Sequence, residues 1–251
     1  MRGLALSGGG ARGLAHIGAL EVFLEAGLDF QVVAGTSMGA IVGALFAAGL
    51  SPGEILAIAQ KTPWLGLLGL SPREGIFSRK KLKDFLAEHL PPTFAELKRP
   101  LAVTAVDVRS GRLLFLTQGD LPSAVLASAA YPGLLAPVER EGRLLFDGGV
   151  LDNLPVDAAR LLGATEVYAV DVTPERSLEE SPRGLLALAR RAVDLMQLHL
   201  TSVRLSLYAP EVYVRPALPG VGIEDFRRLE EIVKAGREAA RRALAGRVGG
   251  V

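Results

Sequence analysis

The chain has no cysteine, which excludes both a disulfide framework and a cysteine nucleophile. It has only three histidines, and none sits where a general base is expected. His16 falls among apolar residues of a helix and reads as a packing residue. His89 ends a charged helix beside Pro91 and Pro92 and reads as a surface residue, and His199 lies within a long helix. An excess of one charge is missing too. With 28 basic and 27 acidic residues the net charge is +1, so no global field favours nucleic acid. The most apolar run, 32–50, holds Thr36, Ser37 and many glycines and alanines, and reads as a buried strand and core helix rather than a membrane span. The first residues enter strand-like sequence at once, without the pattern of a secretory leader. These absences lead us to expect a cytoplasmic protein, with peripheral contact at a membrane surface left open. Repeats, low-complexity tracts and interdomain linkers are also missing, so residues 1–251 read as one domain.

What is present is alternation. Leu4 to Ser7 predicts a strand, Gly8 to Gly13 a glycine loop, and Leu14 to Glu25 a helix closed by Gly27. A strand at 31–34 is followed by a helix after Ser37. Ser51-Pro52-Gly53-Glu54 opens another helix, and Ser78 can cap one over Lys80 to His89. Leu101 to Val108 and Arg112 to Thr117 read as a hairpin turning at Arg109-Ser110-Gly111. Leu121 to Ala130 predicts a helix, Leu144 to Phe146 a short strand, Val156 to Leu162 a helix and Glu166 to Val172 a strand. A helix–strand–helix pattern over about 182–246 completes the chain, and Pro174 to Pro182 reads as an exposed loop before it. The arginine-rich last helix, interleaved with glutamates, reads as amphipathic with a solvated face. The alternation predicts an α/β fold, a three-layer sandwich with a mostly parallel central sheet between helices.

Chemistry concentrates in three places. Gly35-Thr36-Ser37-Met38-Gly39 follows the strand and opens the helix, the context of a nucleophile elbow. A helix N-terminus behind Ser37 favours developing negative charge. Gly8-Gly9-Gly10-Ala11-Arg12-Gly13 contains Gly-x-Gly-x-x-Gly after a strand, so a dinucleotide site must be weighed. That site expects an acidic residue at the end of the second strand. Here Asp29 precedes the strand, and no Gly-Lys-Ser/Thr follows to make a P-loop. Anion binding by backbone N–H groups remains, and beside an acyl-transfer serine such a loop forms an oxyanion hole. Asp147, after a short apolar strand and before Gly148 and Gly149, is either an ordinary Asp-Gly turn or a carboxylate base made strong by desolvation.

These three motifs occur in the order and spacing of the patatin-like phospholipase family, which the chain resembles over roughly residues 3–172. Ala-His-Ile-Gly-Ala-Leu at 15–20, Ala-Ser-Ala-Ala-Tyr-Pro at 127–132 and Asn153-Leu154-Pro155 agree with it. The resemblance implies a patatin-like fold and a serine acyl hydrolase of lipid esters, of phospholipase A, lysophospholipase or carboxylesterase type. It implies a Ser37–Asp147 dyad without histidine and an oxyanion hole from Gly9, Gly10 and Ala11, helped by Arg12. Gly8, Gly13, Gly35, Gly39, Gly148 and Gly149 are the supporting motif residues. No cofactor and no metal are needed for this chemistry, and the expected partner is a lipid or acyl-ester substrate. An acyltransferase or lipid-binding regulator with slow hydrolysis uses the same residues and stays open, as does a nucleotide-binding module. The apolar segment 62–70, with the only tryptophan, either folds onto the core or forms a mobile lid.

Overall fold

The computed structural model describes residues 1–71, 75–173 and 183–248. The loop expected over Pro174–Pro182 lies outside the described residues. β1 (Arg2–Leu6) runs through a 3-10 turn (Gly10–Leu14) into α1 (Ala15–Glu25), and β2 (Val32–Gly35) into α2 (Met38–Ala47). α3 (Pro52–Lys61), α4 (Trp64–Leu67), the strands β3 (Leu68–Ser71) and β4 (Gly75–Phe77), and α5 (Arg79–His89) follow. β5 (Leu101–Asp107), β6 (Leu113–Leu116) and α6 (Leu121–Ser128) precede the hairpin β7 (Val138–Arg140) and β8 (Arg143–Asp147). The chain continues with α7 (Val156–Leu161), β9 (Glu166–Val170), α8 (Leu185–Leu207), β10 (Val212–Val214) and α9 (Leu229–Val248).

Capping chemistry sets two of the helix starts. Ser51 and Glu54 form a reciprocal capping box at α3 with Pro52 in the first turn, and the Ser78 side chain accepts the Lys81 N–H at α5. Three short pieces escape the sequence reading, namely α4, the β3–β4 hairpin and β7. Each is only three or four residues long, too short to show a period. β7 is held as the hairpin partner of β8 by the turn Glu141-Gly142, where both residues have positive φ.

The main sheet has the order β10-β9-β1-β2-β5-β8-β7, with β6 also paired to β5. β10, β9, β1, β2 and β5 are parallel, while β6, β7 and β8 join antiparallel. Alternate strand residues feed two cores, as the two-residue period requires. Leu4, Leu6, Val33, Val103, Tyr168 and Val170 face a large core with α1, α2, α6 and α9. Ala5, Ala34, Ala102 and Ala169 face a thinner one with Ala158 and Ala159 of α7. Small residues on that face let α7 lie close to the sheet. Helices on both faces make the three layers. α9 buries Ile232, Val233 and Ala240 while Arg241 and Arg242 stay in solvent. Among the described residues no helix is long and apolar enough to cross a membrane.

Candidate active site

Ser37 is one of two non-glycine residues with positive φ among the described residues, at φ 54° and ψ −121°. Such a backbone costs about 1–3 kcal/mol and persists only where its surroundings over-determine it. They do so here. The Ser37 N–H donates to Ser128 Oγ at 2.8 Å, and Thr36 N–H donates to Leu6 O at 3.1 Å. The buried Thr36 hydroxyl donates to Asp152 O at 3.0 Å and lies 2.7 Å from Thr104 Oγ1. The flanking glycines are required by close approach. A Cβ on Gly35 would lie 2.5 Å from Gly39 O, and one on Gly39 would run into the carbonyl of Leu6.

The register of β5 brings Asp147 to this turn. Val103 pairs with Gly35 and with Leu116, and Ala105 pairs with Asp147 and with Leu114. A strand has two edges, and β6 occupies one of them at both positions, so β2 and β8 share the other. β2 runs parallel to β5 and β8 antiparallel, so their carboxyl ends point at each other and meet beside Thr104. Gly148 sits directly against Thr104, where any side chain would clash. Asp147 is 1% exposed. Its Oδ1 accepts the Gly149 N–H at 2.7 Å, and Oδ2 makes no hydrogen bond of full geometry. Burial pushes the carboxyl pKa from 3.8 up to about 7, and hydrogen bonding from Gly149 N–H and the nearby Ser37 hydroxyl only partly restrains it.

The glycine loop is clamped from two sides. Gly8 N–H donates to Asn153 O at 3.1 Å, and Asn153 Nδ2 returns to Gly8 O at 3.3 Å. On the other side Ile223 O accepts the Ala11 N–H at 2.9 Å. Gly10 has φ +57°, and a Cβ there would lie 2.5 Å from Ile223 O. The Ala11 N–H is thus engaged within the fold. The N–H groups of Gly9 and Gly10 have no acceptor among the described residues. Arg12 is buried, and its Nε donates to Gly9 O at 3.3 Å. Gly13 packs against Met38, the residue after the serine, and Gly149 lies against Asn153 and Asp147.

Ser37, Asp147, Arg12 and Gly8 to Gly10 all open on a cavity of about 850 Å³. Its further wall is apolar, with Ile41, Leu82, Leu135, Val221 and Phe226. Trp64 and Leu67 line it too. The Trp64 ring stacks on Phe226 at 4.6 Å and 7°, and its Nε1 donates to Ala59 O at 2.8 Å. The Trp64 and Leu67 side chains pack against the core and face the cavity.

Ser128 belongs to the segment 127–132 that carries part of the resemblance, whereas Thr104, Ile223 and Gln197 had no local signal. Ser128, Thr104 and Ile223 act through contacts across 68 to more than 200 residues of chain, and Gln197 of α8 donates to Gly149 O at 2.8 Å. None of the histidines lines the cavity. His16 is fully buried with Nε2 2.7 Å from Ser7 O, and burial lowers its pKa to about 4. His89, expected on the surface, is half-buried and its ring lies against Phe85 at 4.6 Å. His199 is exposed.

A mostly parallel sheet between helices, with a strained serine turn, a buried carboxyl and a glycine loop at its carboxyl ends, defines an α/β protein with a candidate site at those strand ends. Comparison with known proteins narrows the class. A family model described as patatin-like phospholipase matches residues 4–160, and the chain belongs to this family. An uncharacterised NTE family protein of Mycobacterium tuberculosis is 40% identical over 174 residues, which are 67% of this chain and 48% of that protein. Another relative is the lysophospholipase NTE1 of Coccidioides immitis, 31% identical over 93% of this chain and 17% of that protein. The chain spans about half the length of the first of these and far less of the second. The crystal structure of VipD from Legionella pneumophila shares the fold, with a TM-score of 0.68 at 15% identity over 98% of this chain and 67% of that one.

Proposed function

We propose that the chain hydrolyses ester bonds of lipids, with Ser37 as nucleophile and Asp147 as its base. The observation that carries this reading is the meeting of a strained, half-buried serine with a buried carboxyl whose pKa is lifted to about 7. A base titrating near neutral pH is both ionised enough and basic enough to take a hydroxyl proton. Gly149 N–H holds Oδ1, which leaves Oδ2 for that transfer. Ser37 Oγ attacks the ester carbonyl carbon as its proton passes to Asp147. The proton then goes to the departing alkoxide, leaving an acyl-serine. Water next gives a proton to Asp147 and attacks the acyl carbon, and Ser37 Oγ recovers the proton as the acid leaves. Gly9 and Gly10 N–H bind the oxyanion in both steps, and the buried Arg12 guanidinium adds positive charge beside them. Each such donor is worth about 3–4 kcal/mol in a hydrolase. The apolar cavity wall suits an acyl chain, and the fungal relative, named a lysophospholipase, supports a lipid substrate.

The test is labelling by a fluorophosphonate probe and hydrolysis of a chromogenic acyl ester. Ser37→Ala should lose both, with hydrolysis down about a thousandfold or more and the melting temperature unchanged. Hydrolysis retained by folded Ser37→Ala protein, or labelling at another serine, would overturn the assignment.

A further inference from the structure

A surface helix normally turns its apolar stripe to the core and its polar face to water. α8 keeps a broad apolar stripe in solvent, although its Leu198 is buried and its Leu205 packs on the thinner core. Of the eleven exposed large apolar side chains among the described residues, seven lie on α8 or on Tyr208, which caps it. Leu185, Leu188, Leu195, Met196, Val203 and Leu207 fall on one stripe at helical spacing, with Leu185 86%, Met196 68% and Leu207 70% exposed. The opposite face adds polar attachments. Arg191, Asp194 and Gln197 line the cavity, Gln197 holds Gly149 O, and Arg204 is ion-paired with Asp152 and Asp157. The helix is therefore fastened to the candidate active site by polar contacts and presents an apolar ridge outward.

We propose that this ridge docks the protein on an anionic lipid surface. Position is the first reason. The helix walls the cavity on one face, so docking its other face sets the cavity beside the lipid. Charge is the second. Arg183 is exposed just ahead of α8. On α5, whose Leu82 lines the same cavity, Arg79, Lys80, Lys81 and Lys83 are exposed, and Asp84 is the first acid after them. An apolar stripe accompanied by cations is the pattern of a helix lying in an anionic membrane interface. The proposal rests on the reading above only for what happens after docking, because binding itself needs no working Ser37.

The experiment is co-sedimentation of Ser37→Ala protein, which turns nothing over, with vesicles of phosphatidylcholine alone and with phosphatidylglycerol added. Binding should be stronger to the anionic vesicles and weaken as salt rises. In the same background, Met196→Glu with Val203→Glu should weaken vesicle binding by about tenfold or more. In the otherwise native protein, the same pair should leave the melt and the hydrolysis of a short soluble ester unchanged. Unaltered vesicle binding by a folded double variant overturns the proposal. So does a native dimer in solution that the double variant converts to monomer, since that makes a second copy the occupant. Vesicle binding lost in the double variant, in a protein that hydrolyses no ester, upholds the docking surface and defeats the hydrolase reading instead.

Discussion

Replacing Asp147 with asparagine should remove ester hydrolysis and at the same time stabilise the protein at alkaline pH. In the unfolded chain the carboxyl ionises near 3.8, and in the folded protein burial moves this to about 7. Between those values the folded state holds a proton that the unfolded state has released, so stability falls as pH rises. The slope reaches about 1.4 kcal/mol per pH unit, and over the window of about 3 pH units the loss is about 4 kcal/mol as an order of magnitude. Below about 4 both states are protonated and above about 7 both are ionised, so the change is confined to that window. Asparagine keeps the shape and the acceptor for Gly149 N–H but does not titrate. Urea unfolding of both proteins from pH 4.5 to 8.5 measures the difference directly. The variant's stability relative to the native protein should climb by several kcal/mol across the range, while native kcat/KM on a soluble ester rises through about pH 7 and levels off. A difference that stays constant within about 0.5 kcal/mol, or hydrolysis already at its plateau at pH 5, would refute a carboxylate made basic by burial.

His16 should show the opposite slope. Its folded pKa of about 4 lies below the ordinary 6.5, so stability is full above 6.5 and falls by about 3 kcal/mol as pH drops to 4. In His16→Gln, denaturant melts should lose this acid limb while hydrolysis at pH 7.5 stays within about threefold. Ser128→Ala leaves the Ser37 N–H without its acceptor, which should cost about 1–3 kcal/mol in the melt and lower kcat more than it raises KM. Arg204→Met strands the fully buried Asp152 and should cost about 3–5 kcal/mol by urea titration, with part regained by adding Asp152→Asn. Trp64→Ala removes the stack on Phe226 in the cavity wall and should cost about 2–3 kcal/mol of stability. It should also lower kcat/KM for long-chain esters more than for short ones, whereas equal losses would mean packing alone.

The sequence by itself determined whatever is written in local periods and turn chemistry. Ser37 was legible because a serine between Gly35 and Gly39, after a strand and before a helix, leaves the backbone few other conformations. The alternation of strand and helix signals was enough for a parallel sheet between helices, and the capping serines 51 and 78 marked their helices correctly. Asp147 stood out through its two following glycines, although only the register of β5 explains why it matters, since β6 occupying one edge forces β2 and β8 to meet on the other. The tertiary structure alone decided that Ile223, 212 residues from Ala11, takes its N–H beside the glycine loop. It alone decided that α8 turns Gln197 to Gly149 and Leu185, Leu188, Leu195 and Leu207 to the outside. An amphipathic period states that a helix has two faces. Which face is covered depends on the segments that pack against it, and here the covered face joins Leu198 and Leu205 to a hydrogen bond to the Asp-Gly-Gly turn and to the Arg204 ion pairs.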